Sequence, residues 1–153
     1  MNFWDSSAII PLCFDGDAFT ERMRTIADHD DGMVTWWGTQ VECCSAFARL
    51  RRNGVITSEE VQQSRNRLTQ LSMAWSEVEP SEKLRQLSRQ LLLRQDIRAA
   101  DTFQLAGAII WAEGDFEGRG FVTLDRKLRS AAQSEGFNII PCQHDYDEMT
   151  GGA

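Results

Sequence analysis

The length, composition and charge of the chain exclude several classes of protein. Its 153 residues, of which 42% are hydrophobic and 25% charged, are typical of one globular domain. A formal net charge of −7 does not suit a protein that coats nucleic acid by charge alone, since such proteins are normally basic. No apolar run approaches the ~18 residues that cross a bilayer, and the N-terminus lacks the basic start of a signal peptide, so we expect a cytoplasmic protein.

Short apolar segments that predict strands alternate with segments of helical periodicity. In chain order, we expect a strand at Asn2–Trp4, a helix at Ala18–Asp28, a strand at Met33–Trp37, helices at Thr39–Arg52 and Ser58–Met73, a weak strand at Trp75–Glu79, helices at Ser81–Gln95 and Ala99–Glu113, a strand at Gly120–Leu124, a helix at Arg126–Ser134 and a strand at Phe137–Pro141. This alternation predicts an α/β fold in which helices cover both faces of a parallel sheet. We expect one domain over residues 1–142 and a mobile polar tail over residues 143–153.

Two aspartates directly follow predicted strands. Asp5 ends the first strand, and Asp125 ends the strand Gly120–Leu124. Ligands of open parallel sheets bind beyond the carboxyl ends of the strands, which is where both side chains would lie. Each residue is equally well placed to cap the helix that follows it, because Asp is a preferred residue at that position. Two strands that both end in Asp favour a shared site more than either would alone.

Two further acids lie in the first turns of predicted helices. Glu42 is three residues after Thr39, a spacing that also suits a capping box, and for Glu42 alone that structural interpretation is favoured. Asp101 could simply complement the dipole of the helix Ala99–Glu113. In a parallel α/β layer, however, strand ends and the first turns of the following helices share one edge. Four carboxylates at that edge would need countercharge, which a hard divalent cation such as Mg2+ or Mn2+ supplies.

Four segments around these acids resemble one family. FWDSSAIIPL, TQVECCSAFARL, RAADTFQLAGAIIWA and FVTLDRKLRSAA are similar to the PIN domain, especially to the VapC-type toxins of bacterial toxin–antitoxin pairs. The resemblance runs from residue 2 to about residue 141 and includes all four acidic positions, although Thr102 stands where a small residue such as Ala is common. It implies a three-layer fold with a parallel sheet of strand order 3-2-1-4-5. It also implies Mg2+ or Mn2+ binding, endoribonuclease activity, frequent homodimers and an antitoxin partner.

The resemblance leads to specific roles for individual residues. We expect Asp5, Asp101 and Asp125 to hold the metal ion, with Glu42 completing a catalytic set of four acids. Short hydroxyls can orient carboxylates and waters, which is the role we expect for Ser7 and Thr123, although capping and strand propensity also explain them. Three arginines near the acids are candidates for RNA contacts, although each also suits a solvated helix face: Arg49, Arg98 and Arg126.

Other functions remain possible on the sequence alone. The chain could be a PIN-like interaction module without activity, or a stand-alone RNA-processing nuclease rather than a toxin. Phosphatases of the haloacid dehalogenase type fit poorly, since they need a second Asp where this chain has Ser7. Response-regulator receivers fit poorly as well, because Lys127 is not placed as their lysine is. No motif that reads bases is visible, so the sequence does not predict the target RNA.

Overall fold

A computed structural model of the chain describes residues 1–15 and 18–152. Its strands are β1 (Asn2–Trp4), β2 (Met33–Trp36), β3 (Ser76–Val78), β4 (Gly120–Val122) and β5 (Asn138–Ile140). Its α-helices are α1 (Ser6–Ile9), α2 (Ala18–Asp28), α3 (Thr39–Arg52), α4 (Ser58–Ser72), α5 (Glu82–Arg94), α6 (Ala99–Ala112), α7 (Arg126–Ser134) and α8 (Gln143–Thr150), and a 3-10 helix (Ile10–Cys13) follows α1. None of the described helices is long and apolar enough to cross a membrane.

The five strands form one parallel sheet in the order β3-β2-β1-β4-β5. The N-terminal strand β1 lies at its centre, where Phe3 is in register with Val34 on one side and with Phe121 on the other. The predicted α/β class and the predicted strand order are therefore confirmed. The carboxyl ends of β1 and β4 are neighbours, which brings the residues that follow these strands to the same edge of the sheet.

Side chains of the central strands alternate between two hydrophobic cores, one on each face of the sheet. Phe3 and Phe121 stack with ring centroids 5.3 Å apart on the face that α6 covers. The next residues, Trp4 and Val122, point to the opposite face. Full burial of a large apolar side chain contributes ~1.5–3 kcal/mol, so strands of only three residues are stabilised mainly by this two-sided packing.

Most predicted elements are observed with ends that differ by one or two residues, but two regions differ more. Helix α1 and the 3-10 helix were not predicted, because segments of four residues are too short to display helical periodicity. The predicted polar tail instead contains α8, with Ala153 outside the described residues. The Tyr146 hydroxyl donates to the Leu124 carbonyl at 3.1 Å, and the Tyr146 ring lies 4.0 Å from the Arg129 guanidinium carbon. These contacts from Tyr146 attach α8 to the rest of the domain, although its polar composition had predicted a mobile tail.

Candidate active site

All four predicted acids line one open cleft at the carboxyl edge of the sheet. The cleft has a volume of about 860 Å3, and Asp5, Glu42, Asp101 and Asp125 contribute to its lining. These residues come from the ends of β1 and β4 and from the first turns of α3 and α6. The geometry of a parallel sheet thus gathers acids that are up to 120 positions apart, counted from residue 5 to residue 125.

Asp5 is the most buried of the four, with 3% of its surface exposed. Its carboxylate accepts a hydrogen bond from the Ser7 backbone N–H at 3.1 Å and another from the Ser7 hydroxyl at 2.8 Å. Burial, with a smaller contribution from the charge of Asp125, raises the pKa of Asp5 to about 7 despite these bonds. Asp5 therefore caps α1, as the alternative interpretation predicted, and lines the cleft as well.

Asp125 also combines both predicted positions. Its Oδ1 accepts a hydrogen bond from the Leu128 backbone N–H at 2.8 Å, which makes it the N-cap of α7, and the half-buried carboxylate lines the cleft. Its own backbone N–H donates to the Thr123 hydroxyl at 3.1 Å. The Ser7 hydroxyl accepts from the Leu124 N–H at 2.9 Å and lies 3.3 Å from the Thr123 hydroxyl. Ser7 and Thr123 therefore connect the two strand ends that carry the aspartates.

Glu42 does not form the capping box that its spacing from Thr39 suggested, so that interpretation is wrong. Gly38 is the N-cap of α3, and Thr39 is the first residue within the helix. The Thr39 hydroxyl is instead bonded to the buried Gln104 amide, whose Nε2 also donates to Glu42 Oε2 at 2.7 Å. The Ser6 side chain also hydrogen-bonds Glu42, while burial, together with the charge of Asp101, raises the Glu42 pKa. Glu42 thus faces the cleft, held from neighbouring helices.

Asp101 keeps a capping contact while it lines the cleft. Its Oδ2 accepts a hydrogen bond from the Arg98 backbone N–H at 3.3 Å, in the first turn of α6. Burial raises the pKa of Asp101, and the charge of Asp125 raises it further, whereas Arg98 and Lys127 act in the opposite direction. The burial of a carboxylate beside a second carboxylate disfavours its ionised form, so a positive charge bound in this part of the cleft would stabilise the ionised Asp101.

The cationic residues of the cleft differ in part from the predicted set. Arg49 and Arg98 line the cleft as candidates for RNA contact, but Arg126 does not. Arg126 lines a pocket beside β5 and a smaller pocket that it shares with Lys127 and Asp96. The next residue, Lys127, lines the acidic cleft instead and pairs with the exposed Asp96 at 3.2 Å.

The residues fit a hard divalent cation by their donor chemistry, although they do not form a closed cage. Within residues 1–15 and 18–152, no three His, Cys, Asp or Glu side chains stand close enough together to hold a metal ion. Over the same residues, none of the four acids of the cleft forms an ion pair. Mg2+ needs few carboxylates because it keeps several of its waters. The oxygen donors and their unpaired negative charge therefore suit such a cation, bound partly through water.

Sequence reasoning missed two residues at this site, Ser6 and Gln104, while it included Lys127 among the basic residues near the acids that could hold RNA. Ser6 and Gln104 hydrogen-bond Glu42, and Lys127 lines the cleft. A signal for Gln104 was present in the sequence, since it is the one amide within the otherwise apolar run Phe103–Ala112. Ser6 does not stand out in this way, because serine at a helix start is common.

Comparison with known proteins connects this fold to two solved structures. No family model and no curated protein matches the chain. VapC20 of Mycobacterium tuberculosis, a toxin that cleaves the sarcin-ricin loop, superposes over 90% of this chain and 97% of its own, with a TM-score of 0.64 and 16% identity. FitAcB from Neisseria gonorrhoeae superposes over 91% of this chain and 96% of its own, with a TM-score of 0.60 and 16% identity. The chain therefore has the PIN-like fold that its sequence resemblance to VapC-type toxins predicted.

Proposed function

We propose that this protein is a Mg2+- or Mn2+-dependent endoribonuclease and the toxin of a type II toxin–antitoxin pair. The observation that carries the proposal is the gathering of four carboxylates, with no ion-pair partner among the described residues, around one cleft at the carboxyl edge of the sheet. A solved structure of the same fold belongs to a toxin that cleaves the sarcin-ricin loop, an RNA-cleaving activity that we extend to this chain only as a proposal.

The metal ion would be held by Asp5, Asp101 and Asp125, directly or through water. When bound, such a cation lowers the pKa of a coordinated water and neutralises charge that builds on the phosphate. Glu42 faces the same cleft with a raised pKa, which suits its carboxylate to accept a proton from the attacking water. The hydroxyl of Ser7 bonds Asp5 and the end of β4, and so keeps two of the acids in a fixed relation.

RNA binding would depend on local cations, because the chain as a whole carries a net charge of −7. Arg49, Arg98 and Lys127 line the cleft and would contact phosphates on either side of the cleaved bond. We also propose, from the resemblance to VapC-type toxins, that the protein forms a homodimer and is inhibited by an antitoxin. Light scattering of the purified protein, alone and with the product of an adjacent small gene, tests both of these proposals.

Cleavage of a mixed set of RNAs, with and without EDTA, tests the nuclease proposal. We expect cleavage by the wild type in Mg2+ or Mn2+, loss of cleavage in EDTA, and loss in Asp5→Asn under all conditions. Asp115→Asn is the matched control, since Asp115 is exposed and lies outside the cleft. Equal cleavage by all proteins in all conditions would contradict metal-dependent catalysis at this site.

A second measurement separates an active enzyme from an inactive PIN-like module. Calorimetric titration with Mn2+ should detect binding to the wild type and weaker binding to Asp5→Asn. A wild type that neither cleaves any RNA nor binds the metal would favour the interaction module. Cleavage without any effect of the induced protein on cell growth would instead favour a stand-alone processing nuclease.

A further inference from the structure

Gln104 is a polar side chain buried inside an apolar helix. It lies in α6, is 1% exposed, and is followed by the buried residues Leu105 and Ala106. Burying an amide is unfavourable unless its donors and acceptor find partners. The position therefore needs a specific set of contacts, and these contacts lead directly to the acidic cleft.

The amide of Gln104 uses both of its N–H groups. Nε2 donates to Glu42 Oε2 at 2.7 Å and to the Thr39 hydroxyl oxygen at 3.0 Å. An ionised carboxylate can only accept hydrogen bonds, so Glu42 requires the nitrogen of this amide, and not its oxygen, to face it. Thr39 is completely buried, and its hydroxyl fixes the amide from the other side. The orientation of Gln104 is thus determined by two partners on α3.

These contacts restrain a side chain that would otherwise be free to turn. A glutamate has several rotatable bonds, and ordering it costs conformational entropy. Glu42 is half-buried at the wall of the cleft, where the bond from Gln104 holds Oε2 against α6. Gln104 itself does not line the cleft, so it has no surface with which to contact RNA.

We propose that Gln104 is a positioning residue that fixes the carboxylate of Glu42 in the orientation needed for RNA cleavage. The inference deepens the proposed nuclease function and rests on it. It assigns to α6 two separate contributions to the cleft: Asp101, which lines it, and Gln104, which acts only through Glu42. Loss of the partners that orient side chains at a metal site commonly lowers activity by about 10–100-fold, and we expect a loss of this order for a residue that acts through Glu42.

The variant Gln104→Met removes both hydrogen bonds and nearly preserves the side-chain volume. We expect its kcat to fall at least about tenfold with KM unchanged, because Gln104 does not touch substrate. Gln40→Met is a matched control. Gln40 lies on the same helix as Glu42 but outside the cleft, and its Nε2 also donates to a glutamate, Glu77 Oε1, at 3.0 Å. This control should keep the kcat of the wild type. Equal kcat values for Gln104→Met and Gln40→Met would overturn the inference.

A double-mutant cycle separates positioning from a general loss of stability. In a Glu42→Gln background, Gln104→Met should lower the residual rate by less than about twofold, because the side chain through which Gln104 acts is already changed. A full additional loss in that background would refute action through Glu42. If Gln104→Met does not fold, Thr39→Val takes its place, since it removes only the hydroxyl that lies 3.0 Å from Gln104 Nε2. We expect a smaller fall in kcat for Thr39→Val, and this fall should also disappear in the Glu42→Gln background.

Crystal structures of the wild type and the variant make the inference independent of the proposed activity. The Glu42 carboxylate should leave its position in Gln104→Met and keep it in Gln40→Met. An unmoved Glu42 would overturn the inference even if the wild type cleaves RNA. If the wild type cleaves no RNA, the nuclease function fails, and the catalytic role of Gln104 fails with it, while a displaced Glu42 would still establish the structural restraint.

Discussion

Asp5→Asn should make the folded protein more stable at neutral pH, although it removes a central acid of the cleft. Burial raises the pKa of Asp5 from its ordinary value of 3.8 to about 7. The folded state therefore binds a proton at Asp5 that the unfolded state has already released between these two values. The contribution of Asp5 to the free energy of unfolding is therefore highest below about pH 4 and falls as the pH rises to about 7. Above about pH 7 the free energy of unfolding is lower by a constant amount.

The size of this effect follows from the two pKa values. They differ by about three pH units, and each unit corresponds to ~1.4 kcal/mol, so the ionised carboxyl lowers the free energy of unfolding by about 4 kcal/mol at most. Asn keeps a side-chain oxygen that can accept the bond from the Ser7 N–H, and Asn is as good an N-cap as Asp. The substitution therefore removes the charge and leaves the cap of α1 intact.

Urea unfolding at pH 4.5, 6 and 8, with EDTA present, measures this difference. The gain in stability of Asp5→Asn over the wild type should be small at the lowest pH and largest at pH 8. Asp115→Asn, at an exposed site, should differ from the wild type by less than about 0.5 kcal/mol at every pH. Mg2+ should reduce the advantage of Asp5→Asn, because a ligand of the folded state stabilises the wild type. A gain that is independent of pH, or a loss at pH 8, would refute the burial argument.

Three further predictions concern other parts of the molecule. Thr35→Val should raise the free energy of unfolding by about 1 kcal/mol, because the buried Thr35 hydroxyl has no hydrogen-bond partner among the described residues. Thr20→Val removes a 2.8 Å bond to a carbonyl and should lower the free energy of unfolding, so a change of the same sign in both variants would contradict the prediction. Arg129→Met should cost about 2–3 kcal/mol in urea unfolding, since the buried guanidinium donates to two carbonyls; an unchanged midpoint would count against this. For RNA binding, the logarithm of the binding constant falls linearly with the logarithm of the salt concentration, and Lys127→Ala should make this slope shallower by about 1. Arg126→Ala should leave the slope unchanged, and the reverse result would show that Arg126, not Lys127, contacts the phosphate.

The sequence was sufficient to predict the fold and the shared edge of the acids. Strand signals that end in Asp5 and Asp125 combine with the rule that parallel strands present their carboxyl ends together, so the two aspartates could be placed without coordinates. The strand order came from the family resemblance, and the structure confirms it. These features depend on periodicity and on local residue types, which a sequence displays directly.

Contacts between distant side chains could not be predicted in the same way. Local spacing favoured a capping box between Thr39 and Glu42, yet both residues bond Gln104, which lies 62 positions after Glu42. Hydrogen bonds from α6 to α3 decided between the two arrangements, and spacing within α3 carries no information about them. Helix α8 escaped prediction for a related reason, since the bond from Tyr146 to Leu124 is visible only once the chain is folded.

The central position of β1 has a consequence for protein synthesis. β1 is translated before the other four strands, but its neighbour β4 follows it by 118 positions, so this side of β1 cannot pair until β4 has been translated. Contacts between such distant segments form slowly, and the exposed edge of β1 remains unpaired on that side in the meantime. A chain interrupted between residues 42 and 101 would carry Asp5 and Glu42 but neither Asp101 nor Asp125. The cleft is therefore assembled only after β4 and Asp125 have been translated, and fragments released earlier would lack its complete set of acids.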